Sequence, residues 1–328
     1  MDKQVTIQPS GHSFPVEEND SILQAGLKAG FALPYGCSNG SCGVCRARRV
    51  SGDVVTVKHS DYRFTPQEKT QNYLLTCVCS PASGDLVLDV AEAGSVDEIP
   101  EQQIPIRIKS VVETADDLLI VQAQTPRSQR FRFLAGQSVR LDLNQGEDSQ
   151  VSRSLPVASC PCDDRNLEFH IPRRADDQLF ERLTDPENKV KELTLTGPTG
   201  DFVLHEKPGS TYIFIAEDAG FAPVRSLIEH VMSLDEDAEM SLYWRASFAG
   251  GHYMENLCRA WADALDNFSY SLLDASDSRR ADQIVRNDVS GYRDSEIYIA
   301  GSNEFVSEIE SGFQETELPP VQLYSNRV

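Results

Sequence analysis

Residues 36–45 read Gly36-Cys37-Ser38-Asn39-Gly40-Ser41-Cys42-Gly43-Val44-Cys45, and this stretch decides the fold of the first part of the chain. Its three cysteines have the spacing C-x4-C-x2-C, and Cys77 follows later in the sequence. The loop also holds three glycines, and glycine adopts positive φ angles and allows close backbone approach. Together these features predict a tight loop that wraps a group bound by thiolates.

This cysteine spacing is that of a plant-type [2Fe–2S] cluster, in which thiolates ligate both irons. A structural zinc site would favour two separated C-x2-C pairs, and the chain has a single one. Disulfides are disfavoured because the N-terminus lacks the pattern of a secretory signal, and a reducing cytoplasm keeps thiols reduced. The predicted cluster ligands are Cys37, Cys42, Cys45 and Cys77.

The fourth ligand has two candidates, because Thr76-Cys77-Val78-Cys79 places two cysteines at alternate positions. If this segment were a strand, both side chains would face the same side of the sheet. The remaining cysteines lack metal-ligand spacing and are expected to be ordinary thiols. They are Cys160, Cys162 and Cys258.

Length and charge limit the possible function classes. The chain has 328 residues, which suggests two or three domains. Its net charge of −21 disfavours binding to nucleic acid or to anionic membrane surfaces. No segment approaches the roughly 18 apolar residues of a membrane helix, so we expect a cytoplasmic protein without a membrane span.

The hydrophobic pattern changes twice along the chain. Residues 1–93 combine short alternating segments with one helix near residues 20–30, and the polar, proline-containing segment 94–104 is predicted to be a linker. Residues 105–205 contain short alternating segments typical of an antiparallel barrel. In residues 206–328 strands alternate with helices, which predicts a parallel sheet with helices on both faces.

The order of these parts, with the cysteine loop first, resembles that of iron–sulfur flavoprotein reductases. Examples are the reductases of phenol hydroxylase, soluble methane monooxygenase and benzoate dioxygenase, and CDP-6-deoxy-glucoseen reductase. The resemblance covers essentially the whole chain and implies a multidomain α+β and α/β fold. Its parts would be a β-grasp ferredoxin domain, an antiparallel β-barrel of the flavin type and a Rossmann-like parallel α/β domain of the nucleotide type.

The resemblance also implies a function and a choice of ligand. In this family electrons pass from NAD(P)H through FAD and the cluster to a protein acceptor, such as an oxygenase or dehydrase component. Leu74-Leu75-Thr76-Cys77 is similar to the corresponding family segment. The resemblance therefore favours Cys77 over Cys79 as the fourth ligand.

The flavin motif of the family, Arg-x-Tyr-Ser, corresponds to Arg153-Ser154-Leu155-Pro156. The resemblance implies that Arg153 pairs with the pyrophosphate of FAD. Leu155 replaces the tyrosine that stacks on the flavin, and Pro156 replaces a serine and cannot donate a hydrogen bond. The family's later Gly-Gly-x-x-Ser segment has no counterpart in residues 175–180. FAD is therefore expected to bind, but more weakly than in the family.

The nicotinamide site departs further from the family. Glu217 and Asp218 stand where the family has glycines, before the retained Gly220 and Pro223. Glycines there let a pyrophosphate approach a helix N-terminus, whereas carboxylates would repel it. We therefore expect NADH and NADPH to bind poorly. Other departures are Arg245 for a glycine, Ala300-Gly301-Ser302 for Cys-Gly-Pro, and the lack of a Gly-rich segment around residues 276–281.

Two functions are compatible with these residues. The first is a reductase that passes electrons from NAD(P)H via FAD and the cluster to a partner protein. The alternative is a [2Fe–2S] electron carrier or docking subunit whose degenerate reductase module has lost NAD(P)H binding and, in the extreme case, FAD binding as well. The sequence assigns no catalytic side chain. Arg46, Arg48 and Arg49 are candidate docking residues for the acceptor, the alternative being that they are solvated strand residues.

Overall fold

The computed structural model of this chain describes most of its residues. They are 3–17, 20–92, 96, 99–114, 117–127, 129–144, 150–163, 165–175, 177–187, 189–205, 211–234, 238–247, 251–274, 279–315 and 322–328. The strands in these ranges form three sheets, of five, six and five strands. No helix in the same ranges is long and apolar enough to cross a membrane.

The first sheet is mixed and belongs to the N-terminal part. Its strands are β1 (Gln4–Gln8), β2 (Ser13–Pro15), β3 (Arg46–Thr56), β4 (Tyr73–Leu75) and β5 (Cys79–Asp89). They lie in the order β2-β1-β5-β3-β4, and β1 pairs parallel with β5, with Val5 opposite Leu86. Val5 and Ile7 share one face of β1 and are fully buried, because side chains alternate along a strand.

One main helix covers this sheet. It is α1 (Ile22–Lys28), and it begins after Ser21, whose hydroxyl accepts from the Gln24 N–H while the Gln24 side chain accepts from the Ser21 N–H. This reciprocal capping box satisfies two helix-end donors. Gly30 follows the helix with a φ of 83°, as the predicted helix near residues 20–30 required. A short helix, α2 (Pro66–Thr70), lies between β3 and β4.

The second sheet is antiparallel and curled. Its strands are β6 (Gln102–Thr114), β7 (Leu118–Gln124), β8 (Ser138–Asn144), β9 (Gln150–Pro156), β10 (Asn166–Pro172) and β11 (Glu192–Thr199). Their order is β10-β7-β6-β11-β8-β9, and α3 (Gln178–Thr184) follows β10. The N–H of Ala158 donates to the carbonyl of Glu168 at 2.9 Å, which brings the two edges of the sheet together. This confirms the predicted antiparallel barrel-type fold.

The third sheet is entirely parallel, as the alternation of strands and helices predicted. Its strands are β12 (Tyr212–Glu217), β13 (Met240–Ala246), β14 (Phe268–Asp274), β15 (Glu296–Gly301) and β16 (Leu323–Arg327), in the order β14-β13-β12-β15-β16. The helices are α4 (Phe221–Ser233), α5 (Glu255–Ala264), α6 (Ala281–Asp288) and α7 (Asn303–Gln314). Phe214 packs in the cluster that contains α4 and α5, whereas Ile215 packs in the cluster that contains α6 and α7.

The strand order creates a crevice between β12 and β15. From β12 the chain runs to β13 and β14 on one side, and then to β15 and β16 on the other. Ligands of open α/β sheets bind outside the carboxyl ends of the strands at such a switch point. Glu217 ends β12 and Gly301 ends β15, so both lie at this position.

The first sheet contacts both later parts of the chain. The backbone N–H of Arg130 donates to the carbonyl of Gly36 at 3.1 Å. A Cβ atom added to Gly30 would lie 2.7 Å from the side chain of Leu234, so the end of α1 packs closely on the end of α4. Strand β6 begins at Gln102, inside the segment predicted as a linker. Residues 94, 95, 97 and 98 of that segment lie outside the described ranges.

Candidate cluster, flavin and nucleotide sites

The four predicted ligands of the cluster lie in two pairs. The sulfur of Cys37 accepts from the backbone N–H of Cys42 at 3.3 Å, and the sulfur of Cys42 accepts from the N–H of Cys37 at 3.4 Å. The sulfur atoms of Cys45 and Cys77 are 3.2 Å apart. Among the described residues no group of three potential ligands is placed to hold a single metal ion. Two pairs of thiolates suit two irons.

Backbone donors surround these sulfur atoms. The N–H of Ser41 donates to the sulfur of Cys37 at 3.3 Å, and the N–H of Val44 donates to the sulfur of Cys42 at 3.4 Å. Hydrogen bonds of this kind stabilise thiolates and tune the potential of a cluster they ligate. The donor set of this loop therefore fits a [2Fe–2S] group.

The pKa of one thiol in each pair is lowered. Burial would raise the pKa of Cys37, but hydrogen bonds from Ser41, Asn39 and Cys42 outweigh it and lower that pKa to about 6. The hydrogen bond with the Cys77 thiol lowers the pKa of Cys45 to about 7, against the opposing effect of burial. Metal ligation requires the thiolate form, which the surroundings favour at Cys37 and Cys45. In the partner thiols the pKa is raised, by burial at Cys42 and by the hydrogen bond with Cys45 at Cys77.

Glycine is needed where the loop meets the aromatic ring of Tyr62. Gly43 has a φ of +74°, and a Cβ atom there would lie 2.1 Å from that ring. Gly40 has a φ of +81°, and its carbonyl accepts from the Ser60 hydroxyl at 2.7 Å. Positive φ and close approach explain why the sequence places glycines between the cysteines.

The structure separates the two candidates for the fourth ligand. Cys77 lies in the turn between β4 and β5, whereas Cys79 is the first residue of β5 and pairs with Thr56. Because a turn separates them, the two cysteines do not share the face of one strand. Cys77 is the one whose sulfur lies beside that of Cys45.

The three arginines after the loop are paired within the chain. Arg46 donates to the hydroxyl of Tyr62 at 2.9 Å and also contacts Glu68. The Nε of Arg48 lies 3.1 Å from Asp89, and Nη1 of Arg49 lies 3.3 Å from Asp53. Their docking role stays a prediction. A partner's carboxylates would have to compete with these contacts.

Arg153 is the buried cation of the flavin-type part. It lies on β9, its side chain is 6% exposed, and its Nη1 contacts the carboxylate of Asp177. Its Nε and Nη2 are buried and have no hydrogen-bond partner among the described residues. A guanidinium has five N–H donors and can bind a carboxylate or a phosphate through two of them at once. These unused donors fit the pyrophosphate of FAD.

The other residues of the flavin motif have different environments. Leu155 shares the face of Arg153 and is buried in the core of the second sheet. Ser154 is exposed and lies opposite Arg140 in the ladder, and Pro156 is buried at the end of β9. The segment that lacks the family's Gly-Gly-x-x-Ser includes residue 176, which lies outside the described ranges.

Glu217 lies at the crevice of the third sheet. It is buried, and its carboxylate accepts from the backbone N–H of Ser302 at 3.2 Å and from the hydroxyl of the same residue. A Cβ atom on Gly301 would lie 2.8 Å from the Cβ of Glu217. The glutamate side chain therefore covers the end of β15.

Asp218 adopts a left-handed conformation, with a φ of 47°. Its carboxylate accepts from the N–H of Ser247 at 2.8 Å and from the hydroxyl of that residue. Its carbonyl accepts from Nε1 of Trp244 at 3.1 Å. The acid is thus held by the loop after β13, and both acids of the turn have partners just beyond the carboxyl ends of neighbouring strands.

The retained residues of this turn are packed tightly. A Cβ atom on Gly220 would lie 2.2 Å from the carbonyl oxygen of Ala300, so this glycine lets the turn approach β15. Pro223 is buried in the first turn of α4. Arg245 does not pair with the two acids: it lies 3.9 Å from Glu308. Of the segment around 276–281, where a Gly-rich stretch was predicted to be missing, residues 276–278 lie outside the described ranges.

A buried charge cluster that the sequence did not predict lies between the second and third sheets. Glu168 contacts Arg225 and lies 3.0 Å from Nε2 of His170. Arg225 also binds Glu229 at 2.8 Å, and Nδ1 of His170 lies 2.8 Å from the hydroxyl of Tyr253. The cluster joins a pair on β10, Glu168 and His170, to Arg225 and Glu229 on α4, and these two segments are far apart in sequence, so the sequence pattern does not reveal it.

The expectation for two of the unpatterned cysteines was wrong. The structure joins Cys160 to Cys162 by a disulfide, whereas Cys258 is a buried free thiol, as expected. Cys160 and Cys162 are separated by one residue, and this spacing matches no metal-ligand pattern. The chain reversal after β9 brings them together.

Comparison with known proteins gives one family match and several similar chains. Residues 5–82 match the family described as 2Fe-2S iron-sulfur cluster binding domain. The chain is 28% identical over 271 residues to the CDP-6-deoxy-L-threo-D-glycero-4-hexulose-3-dehydrase reductase of Yersinia pseudotuberculosis, covering 82% of this chain and 79% of the relative. It is 25% identical over 317 residues to terephthalate 1,2-dioxygenase reductase component 2 of a Comamonas species, covering 94% and 92%.

Solved structures show the same fold. The Amycolatopsis cytochrome P450 reductase GcoB superposes with a TM-score of 0.60 at 21% identity, over 99% of this chain and 98% of that one. The ferredoxin reductase in carbazole 1,9a-dioxygenase gives a TM-score of 0.58 at 22% identity, over 100% and 98%. Residues 5–82 are therefore similar to 2Fe-2S iron-sulfur cluster binding domains, and the chain as a whole resembles iron–sulfur flavoprotein reductases.

Proposed function

We propose that this protein is an electron-transfer reductase that takes electrons from NAD(P)H and delivers them, through FAD and a [2Fe–2S] cluster, to a protein acceptor. An oxygenase or dehydrase component is the class of acceptor that fits. The relatives with which it aligns over most of its length are reductase components of a dehydrase and of a dioxygenase. These similarities favour the reductase over an electron carrier with a degenerate module.

The observation that carries this proposal is the contact between the cluster loop and the flavin-type part. The N–H of Arg130 donates to the carbonyl of Gly36, the residue next to the ligand Cys37. Backbone contact at this point makes a short path between a flavin in the second part and the cluster. Cys37, Cys42, Cys45 and Cys77 would hold the cluster, and residues 1–93, 105–205 and 206–328 would be the three domains.

The chain's own residues would bind and position the cofactors. The free donors of Arg153 would bind the pyrophosphate of FAD. When bound, FAD supplies the conversion between two-electron and one-electron transfer. The turn at Glu217 and Asp218 lies at the carboxyl end of β12, where a nucleotide would enter the crevice.

The visible spectrum of purified protein tests the proposal. The reductase should show a flavin band beside the cluster bands, and anaerobic NADH or NADPH should bleach both. A Cys37→Ser variant serves as the matched control, because it should lose the cluster bands while its flavin still responds to the nucleotide. Cluster bands without flavin, unchanged by either nucleotide after incubation with excess FAD, would contradict the proposal and favour the carrier.

A further inference from the structure

Arg153 and Asp177 form an ion pair with almost no solvent contact. The two side chains are 6% and 7% exposed, and they come from β9 and from the residue that precedes α3. Removing two opposite charges from water is costly unless the remaining donors and acceptors are also satisfied. Here that condition is met for the aspartate and not for the arginine.

The carboxylate of Asp177 is fully held in its position. Its Oδ1 accepts from the N–H of Phe180 at 3.0 Å, and its Oδ2 accepts from the N–H of Arg174 at 3.3 Å in addition to the contact with Arg153. Three donors thus converge on one internal anion. Arg174 also acts on Arg153 as a neighbouring positive charge.

The guanidinium of Arg153 is only partly used. Its Nε and Nη2 are buried and have no partner among the described residues. Burial lowers the pKa of this side chain to about 10, although the negative charge of Asp177 acts in the opposite direction. These donors are unpaired but buried, so a larger anion such as a pyrophosphate reaches them only when the Arg153 side chain moves away from Asp177.

We propose that the Asp177 carboxylate is a built-in competitor for the anion site of Arg153, so that a phosphate-bearing flavin binds by displacing it. The inference rests on the proposed function, since it concerns the same flavin site. It makes flavin binding an exchange of anions: the Arg153–Asp177 contact breaks and the Arg153–phosphate contact forms. Asp177 is thus a positioning residue that weakens FAD binding through Arg153 and keeps the flavin exchangeable.

The competition should depend on the phosphate of the ligand. FAD carries a pyrophosphate, FMN one phosphate and riboflavin none, so riboflavin has nothing to exchange with Asp177. Asp177→Asn removes the charge and keeps a side-chain oxygen for the Phe180 N–H, because asparagine also caps helices well. We expect this variant to bind FAD at least tenfold more tightly, with riboflavin affinity changed by less than about twofold.

Titration of flavin fluorescence with purified, cluster-loaded protein measures these affinities. Asp117→Asn is the matched control, since it removes an exposed carboxylate, 3.4 Å from Arg173, in the turn before β7. Arg153→Met should weaken FAD binding, and adding Asp177→Asn to Arg153→Met should then change nothing. Cluster absorbance and tryptophan fluorescence verify that each variant is folded. If Asp177→Asn does not fold, Asp177→Ser tests the same loss of charge with another capping side chain.

The outcomes separate this inference from the proposed function. If wild-type protein binds FAD and neutralising Asp177 leaves that affinity unchanged or lowers it, the competition does not exist and the reductase proposal stands. Equal tightening for FAD and riboflavin would also overturn the inference, since it would show a change of shape rather than of anion. If neither wild type nor variant binds FAD at about 100 µM, both the inference and the flavin part of the proposed function are wrong.

Discussion

The carboxylate of Glu217, at the end of β12, accepts a hydrogen bond from the backbone N–H of Ser302, which follows β15, at 3.2 Å. This contact spans the two strands between which an open α/β sheet binds its ligand. The neighbouring Asp218 is held by Ser247 at 2.8 Å. Each acid therefore has an internal partner, and a nucleotide would have to approach two fixed carboxylates.

Replacing both acids by glycine should improve nucleotide binding. A like-charge contact at about 4 Å costs on the order of 4 kcal/mol at an effective dielectric near 20, so Glu217→Gly with Asp218→Gly should tighten NADH binding at least tenfold. Calorimetric titration measures it, with Glu304→Gln, an exposed acid on α7, as control. Glu217→Gln with Asp218→Asn removes charge alone. If only the glycine pair tightens binding, shape rather than charge closes the site.

The cluster should depend on Cys77 and not on Cys79. Cys77 lies in a turn with its sulfur 3.2 Å from that of Cys45, whereas Cys79 lies on β5. We expect Cys77→Ser to lose most of the iron and Cys79→Ser to keep the wild-type amount. Iron and acid-labile sulfide per chain measure this. Iron retained in Cys77→Ser and lost in Cys79→Ser would show that the other cysteine is the ligand.

A methyl group at Gly43 should disrupt the cluster loop. It would lie 2.1 Å from the Tyr62 ring, at a φ of +74°. Gly84 is the matched control, since it has a φ of +64° and an added Cβ meets nothing within 4 Å. Gly84→Ala should cost only the positive-φ penalty of roughly 1–2 kcal/mol and keep the cluster, whereas Gly43→Ala should lower cluster absorbance. Equal loss in both would mean that the clash with Tyr62 is unimportant.

Arg225 should hold the second and third sheets together. It pairs with Glu168 and Glu229 and is only 13% exposed. Removing one partner of a buried pair leaves an uncompensated charge, so Arg225→Met should lower the free energy of unfolding by about 3–5 kcal/mol. The fluorescence of Trp244 and Trp261 in increasing urea measures the unfolding of the third part of the chain. Arg327→Met breaks a more exposed pair with Glu310 and should cost less than about 1 kcal/mol.

His230 should destabilise the protein in acid. Burial lowers the pKa of this histidine to about 4, against an unfolded value of about 6.5. The unfolded chain therefore takes up the proton first, and stability falls as pH drops from about 6.5 to 4. At pH 5 this protonation lowers the free energy of unfolding by about 2 kcal/mol. The free energy of unfolding, measured at pH 7 and pH 5, should differ by about 2 kcal/mol less in His230→Gln than in the wild type. His59→Gln, at an exposed position, should keep the wild-type difference.

The sequence by itself determined the architecture and the identity of the cluster group. Cysteine spacing and glycines between Cys37 and Cys45 require a particular loop, because thiolate ligation and positive φ depend on local residues. The hydrophobic pattern predicted a first part of short strands with one helix, then one antiparallel part and one parallel part. These signals are short-range, so they can be read from neighbouring positions in the chain.

Only the tertiary structure decided how the charged residues are partnered. The pairing of Arg153 with Asp177, of Glu217 with Ser302 and of Arg225 with Glu168 joins residues that are far apart in sequence. The structure also separates Cys77 from Cys79, because a turn and not a strand lies between them. A charge in water has many equivalent partners, whereas a buried charge is fixed by whichever group the fold brings within hydrogen-bond distance.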